Sequence, residues 1–464
     1  MPESTQTQLN FHPVDGLSIR ANFDGGCLSS DFGAILLRET ALQSPILKEL
    51  ADVFQDKRQQ SHITHPLQNL FTQRTLQIAC GYEDANDSNS LRKDPMFKLA
   101  VGNKPCNDKN HLAHASTFSR LGKSVRRADL HRMAKVFVEH FIDSYANEPG
   151  LIVLDMDHTE DRTHGQQELA LFNNYYGHYG YLPLTVFEGL SGKLIGAFLR
   201  PGKRPTGAEN AMIMRRIIQL IRARWSSTHI VLRGDGHFSN PELMQLCQHD
   251  EYMDFVFGVP GNKKLTPMAE PLLAQARKLL NIKRHNADKA DRTLPFKLCL
   301  YEELDYKAQS WKDIFCRVIV KSEVNTLGDN ARFIATSIKN ATPEILYREF
   351  YCARGQDENF IKQLKNDLSC DRTSDHGFLA NQLRLFYSAA AYVLLHEFRS
   401  ETLRGTELEK AEMGTIRLKL FKIAVRVVQY KDRVKLMLPS SCPAFELLKH
   451  VTDILYHTKL PKPG

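Results

Sequence analysis

The run LIVLDMD at 151–157 constrains this chain more than any other segment. Four aliphatic residues in a row read as a buried strand, and Asp155 and Asp157, two positions apart, then share one face of it. The segments that follow fit a layer built around that strand. Residues 182–187 and 194–199 read as two more strands, joined through Gly189-Leu190-Ser191-Gly192, where a tight reversal needs glycine. Between Ala208 and Trp225, the residues Met212, Ile213, Ile217, Leu220 and Ile221 recur at helical spacing. A fourth strand covers His229–Arg233 and leaves Asp235 just past its end. Asn240-Pro241 starts a short helix, and Asp254–Gly258 reads as a fifth strand.

Three strands, helix, strand, helix, strand is the order of an α/β layer with a mixed sheet, and also that of RNase H-like nucleases. A helix should close that layer next. Residues 263–342 instead read as a helix followed by strands near Phe296–Leu304, Ile314–Val320 and Arg332–Ser337, a mostly β insertion. The delayed helix is expected over Thr342–Leu368, with a second long helix over Phe378–Phe398. Upstream, 34–60, 64–80 and 128–146 carry helical periodicity. The expected organisation is a helical N-terminal DNA-binding or dimerisation region (1–147), an RNase H-like core in two parts (148–262 and 343–403) split by the insertion (263–342), and a C-terminal region (404–464).

A net charge of +8 favours polyanionic partners without identifying one. Arg120, Lys123, Arg126, Arg127, Arg132 and Lys135 form one basic cluster, and Arg215, Arg216, Arg222 and Arg224 a second. The segment HLAHASTFSRLGKSVRR at 111–127 has the caps and charge of a helix-turn-helix, although capped surface helices look the same. Nine scattered cysteines without a CxxC pair argue against a zinc ribbon or a disulfide scaffold and fit a reducing cytoplasm. The N-terminal segment has no basic and apolar leader pattern, and no apolar run is long enough to span a bilayer.

Phosphodiester cleavage with two magnesium ions needs about three converging carboxylates, because hard cations prefer oxygen ligands. Asp155 or Asp157, together with Asp235, supplies two from neighbouring strands. Glu358 on the closing helix supplies a third. Tyr351, Arg354, Glu358 and Lys365 follow one another at 3, 4 and 7 residues, which places them on one stripe of a regular helix. An acid flanked by two cations and a phenol suits a bound phosphodiester, whereas an ordinary solvated helix face would show the same residue types.

That Tyr-Arg-Glu-Lys spacing resembles the signature of DDE transposases of bacterial insertion sequences that carry a β-strand insertion before the catalytic glutamate. LDMDHT at 154–159, HGQQE at 164–168, YGYLPL at 179–184, RGDGHF at 233–238 and ARGQDENFIKQLK at 353–365 resemble one branch of the group, and Trp311–Lys321 with RFIATSI at 332–338 resembles its insertion. The resemblance implies Asp157, Asp235 and Glu358 as catalytic metal ligands, Asp157 being favoured over Asp155 by Thr159 two places on. It implies two Mg2+ ions, with Mn2+ able to substitute. Tyr351, Arg354, Lys365, Trp311 and the basic residues Arg120, Lys123, Arg126 and Arg127 would contact DNA. The expected partner is double-stranded DNA, both terminal inverted repeats and target, held by a homodimer on paired ends, with strand cleavage and transfer through hairpin ends. Gly236 and His158 depart from the usual pattern without removing a ligand. Two other readings use the same residues: an RNase H-like nuclease without strand transfer, and an inactive domesticated DNA-binding protein.

Overall fold

The computed structural model describes residues 8–107, 109–289, 293–311 and 313–458. The chain divides into two units: Met1–Ser124 with Asp367–Ser369 and Ala390–Gly464, and Val125–Asn366 with Cys370–Ala389. Among the described residues, no helix is long and apolar enough to cross a membrane.

The second unit is organised on an eight-stranded mixed sheet. Its strands are β1 (Leu151–His158), β2 (Leu184–Glu188), β3 (Leu194–Phe198), β4 (His229–Gly234), β5 (Met253–Val259), β6 (Lys297–Leu304), β7 (Arg317–Asn325) and β8 (Gly328–Thr336), in the order β6-β7-β8-β5-β4-β1-β2-β3. β4 runs parallel to both β1 and β5, and all other pairs are antiparallel. The first five strands therefore lie in the order 3-2-1-4-5, as the RNase H-like reading expects. The inserted strands do not stand apart. β8 pairs with β5 and continues the same sheet.

Alternation along β1 decides which layer each side chain enters. Ile152, Leu154 and Met156 join a large apolar cluster with Phe141 of helix α1 (Arg127–Asp143) and Ile217 and Ile221 of helix α2 (Gly207–Arg222). Val153 points the other way, into a smaller cluster with Val231, Val256, Ile334, Leu346 and Tyr347. Asp155 and Asp157 continue the row of Val153, so both carboxylates face the side covered by the segment around Leu346. The β3 edge is capped by Gln382, which accepts from Leu199 N at 2.6 Å and donates to Ala197 O at 3.1 Å.

The expected closing helix is present but unevenly wound. It runs as an α turn at Pro343–Ile345, π-helix at Leu346–Tyr351, a 3-10 turn at Cys352–Arg354, α-helix α5 at Gly355–Lys362 and π-helix again at Gln363–Asp367; α3 (Pro241–Gln248) and α4 (Glu270–Lys289) precede it. Helix α6 follows over Phe378–Thr402.

The first unit is more varied than its helical periodicity suggests. The helix expected over 34–60 is two, Gly33–Gln43 and Ile46–Asp52. Ser44 between them is extended (φ −100, ψ 120) because the ring of Pro45 excludes a helical conformation at the residue before it. Leu9–Val14 and Leu17–Ala21 form a β hairpin, and Leu28–Ser29 pairs with Val425–Gln429. Neither was legible as strand. In the second unit, a three-stranded sheet of Asp161–Arg162, Leu171–Asn173 and His178–Tyr181 between β1 and β2 was missed as well.

Candidate active site

The two aspartates of β1 have different surroundings. Parallel pairing sets Arg233 beside Asp155, and the guanidinium donates to both carboxylate oxygens at 2.5 and 2.6 Å. Its remaining nitrogen donates to Phe350 O at 2.6 Å. Neither side chain reaches solvent, at 2% and 0% exposure, so Asp155 is fully committed to Arg233. The space for this pair comes from Gly189 in the β2–β3 turn. A Cβ there would lie 2.2 Å from the Asp155 carboxylate and 2.6 Å from the guanidinium.

Asp157 stands at the open end of the strand. The β1–β4 ladder ends at Met156 with Gly234, Asp157 and Asp235 are the residues that follow on each strand, and their charges repel: burial first, then Asp235, pushes the Asp157 carboxyl up to about 7, against the attraction of Arg354. Arg354 donates to Asp157 Oδ2 at 3.1 Å and lies 3.7 Å from Glu358 Oε1. One guanidinium thus bridges a carboxylate at the end of β1 and a carboxylate on α5. The donors suit a hard divalent cation, being carboxylate oxygens that repel one another. Among the described residues, no three acidic, His or Cys side chains stand close enough to share one ion, and the bridging group is Arg354.

The change of winding alters the stripe expected of a regular helix. The tight turn at Cys352–Arg354 and the wide turn at Gln363–Asp367 shift the phase within it, while Tyr351 stays beside Arg354 and Arg354 and Glu358 remain one turn apart. Tyr351 packs on Tyr347, and its hydroxyl lies over Gly258 of β5, where a Cβ would come within 2.6 Å of it. Lys365, within the second π segment, turns back onto the chain after β1. Its ammonium donates to Glu160 O at 2.7 Å and lies 3.9 Å from Asp371.

Other predicted residues are distributed differently. Trp311, expected to contact DNA, is 4% exposed and packs edge-on against Tyr306 in the sheet core. Arg126 is paired with the buried Asp129 at 3.0 Å and closes the N-terminus of α1. Arg120, Lys123 and Arg127 are exposed, Arg120 donating to the Thr117 hydroxyl at 3.3 Å.

Three further groups have no role assigned to them by the sequence. Arg233 could have been found by noticing that Arg233 and Asp155 each sit two residues before a carboxylate, on strands predicted to be neighbours. Asp357 is fully buried with neither oxygen hydrogen-bonded; burial, then Asp155 and Asp157, push its carboxyl up to about 8. His158 stacks flat on Phe238 at 4.9 Å, and burial, then His237, hold its ring down to about 4, hence neutral. That stack ties the end of β1 to the turn after β4.

No curated protein sequence matches the chain. Among solved structures, the cryo-EM structure of a piggyBac transposase synaptic complex with hairpin DNA is similar over 84% of this chain and 80% of that one, with a TM-score of 0.44 and 13% identity. The family model described as transposase DDE domain group 1 matches residues 11–460, nearly the whole length, and the chain belongs to that family.

Proposed function

We propose that this transposase cleaves DNA at the ends of its element and joins the freed ends to new DNA, with Asp157, Asp235 and Glu358 holding two Mg2+ ions for which Mn2+ can substitute. Ions held there would supply an activated water and neutralise charge on the phosphodiester. The observation that carries the reading is the bridge between Asp157 and Glu358 through Arg354, beside Asp235, in a chain of this family. Asp155, neutralised by Arg233, is left out of the ligand set.

In this reading, water attacks phosphorus and the 3′ oxygen leaves. The freed 3′ hydroxyl then attacks phosphorus in a second strand, forming one P–O bond as another breaks, with no covalent protein intermediate. When the second strand is the opposite strand of the same end, a hairpin results. Arg354 orients a phosphate beside the reacting strand, Tyr351 lines the same wall, and Arg120, Lys123 and Arg127 contact the backbone of double-stranded DNA. A homodimer holds two terminal inverted repeats together with target DNA.

The test is a nicking and joining assay on duplex DNA carrying an element end. Asp157→Asn, Asp235→Asn and Glu358→Gln should each abolish nicking, while end binding persists in a mobility-shift assay. Near-wild-type nicking by any one of them overturns the assignment. Nicking without joining by the wild type supports a nuclease instead.

A further inference from the structure

We infer that Arg354 is a displaceable counter-cation of this carboxylate site, exchanged for a divalent cation when one binds, so that metal occupancy decides whether the guanidinium holds carboxylates or is free for a DNA phosphate. This rests on the metal-site reading above and adds to it a competition between one side chain of the protein and the ion.

Two arginines face the two aspartates of β1, and they differ in how firmly they are held. Arg233 makes two short bonds to one carboxylate and one to a carbonyl, all out of solvent. Nothing in that arrangement exchanges. Arg354 has a single 3.1 Å hydrogen bond to Asp157, a looser ion pair to Glu358 at 3.7 Å and the Tyr351 hydroxyl beside it; its side chain is 17% exposed, that of Asp157 20% and that of Glu358 57%. Solvent therefore reaches this pair, and a hydrated ion can do so too.

The same carboxylate oxygens are claimed from both sides. A guanidinium accepted by Asp157 and Glu358 must surrender them before they ligate an ion, and dications beside it would repel it. Once displaced, it retains five donors in a planar fork suited to phosphate oxygens. Arg354 lies one turn before Glu358 on the same helical segment, so both side chains start from one backbone support.

Isothermal titration of the full chain with Mn2+, without DNA, tests the competition. Removing the competitor in Arg354→Gln should tighten Mn2+ binding about tenfold, the change that corresponds to about 1.4 kcal/mol of released pairing. Arg354→Lys, a cation without the fork, should fall between the two. Melting temperatures without metal report whether each variant is folded. Equal or weaker Mn2+ binding by a folded Arg354→Gln overturns the inference. Asp157→Asn, measured in parallel, should lose Mn2+ binding. If the wild type and Asp157→Asn bind Mn2+ alike, the metal-site reading itself has failed and takes the competition with it, a result distinct from tight, Asp157-dependent binding that ignores Arg354.

Discussion

Arg233 and Asp155 lie side by side on parallel strands and share two hydrogen bonds, at 2.5 and 2.6 Å, wholly out of solvent. A buried pair of this kind costs little when intact, but removing one partner strands a charge. Arg233→Met should therefore destabilise the protein by about 3–5 kcal/mol. Asp157→Asn should not, because it removes a carboxylate whose charge is opposed by burial and by Asp235. Thermal melts of the two variants decide it. A melting temperature for Arg233→Met within a degree or two of wild type would mean that the pair is dispensable.

Gly189 offers a second route to the same pair. Its missing Cβ leaves room for both the Asp155 carboxylate and the Arg233 guanidinium, and an alanine would sit 2.2 Å from the former. Neither partner can yield, since Arg233 is held at its other end by Phe350 O. Gly189→Ala should thus approach the loss seen for Arg233→Met, whereas Gly165→Ala, with nothing within 4 Å of its added Cβ, should change stability by no more than about 0.5 kcal/mol. Similar melting curves for the two alanine variants would refute this account of the turn.

What could be read from the sequence follows from periodicity. The aliphatic run in LIVLDMD, the glycine turn and the helix of Gly207–Arg222 each announce themselves locally, and their order suffices for the central five strands. The one-turn spacing of Arg354 and Glu358 is local and is kept in the structure. The winding of the helix that carries them was not legible, because π and 3-10 turns arise from packing against the sheet rather than from a local signal. The pairing of Asp155 with Arg233 depends on strand register, a non-local property. Trp311 shows why residue type alone does not decide: a ring suited to stacking on a base is equally suited to filling a core, where this one lies.

Asp161 should make stability depend on pH. It is fully buried, and burial pushes its carboxyl up to about 8 despite the hydrogen bond from Thr373. The folded protein then retains a proton that the unfolded chain, with the ordinary value of 3.8, gives up. Stability falls as pH rises between those two values and levels off above the upper one. Asp161→Asn keeps an acceptor for Thr373 and has no proton to lose, so its advantage over wild type should grow from pH 5 to pH 8. Parallel melting temperatures for the two proteins across that range would refute it.

The last prediction separates two kinds of lysine and arginine. A side chain that neutralises a DNA phosphate releases about one counterion, so its removal lowers the slope of log affinity against log salt by about 1. Arg127 is exposed at the start of α1 and meets the requirement for such a contact. Lys365 bears the same charge, and the Tyr-Arg-Glu-Lys signature would assign it a phosphate, but its ammonium is already bonded to Glu160 O at 2.7 Å, with Asp371 at 3.9 Å. That bond fastens the chain just beyond Asp157 to the helix of Glu358, which makes Lys365 a positioning residue. Lys365→Met should lower the melting temperature and nicking while leaving the salt slope of end binding unchanged; Arg127→Ala should lower the slope while leaving the melting temperature close to wild type. A slope reduced by about 1 in Lys365→Met would return Lys365 to the DNA-contacting set and show that its bond to Glu160 gives way when DNA arrives.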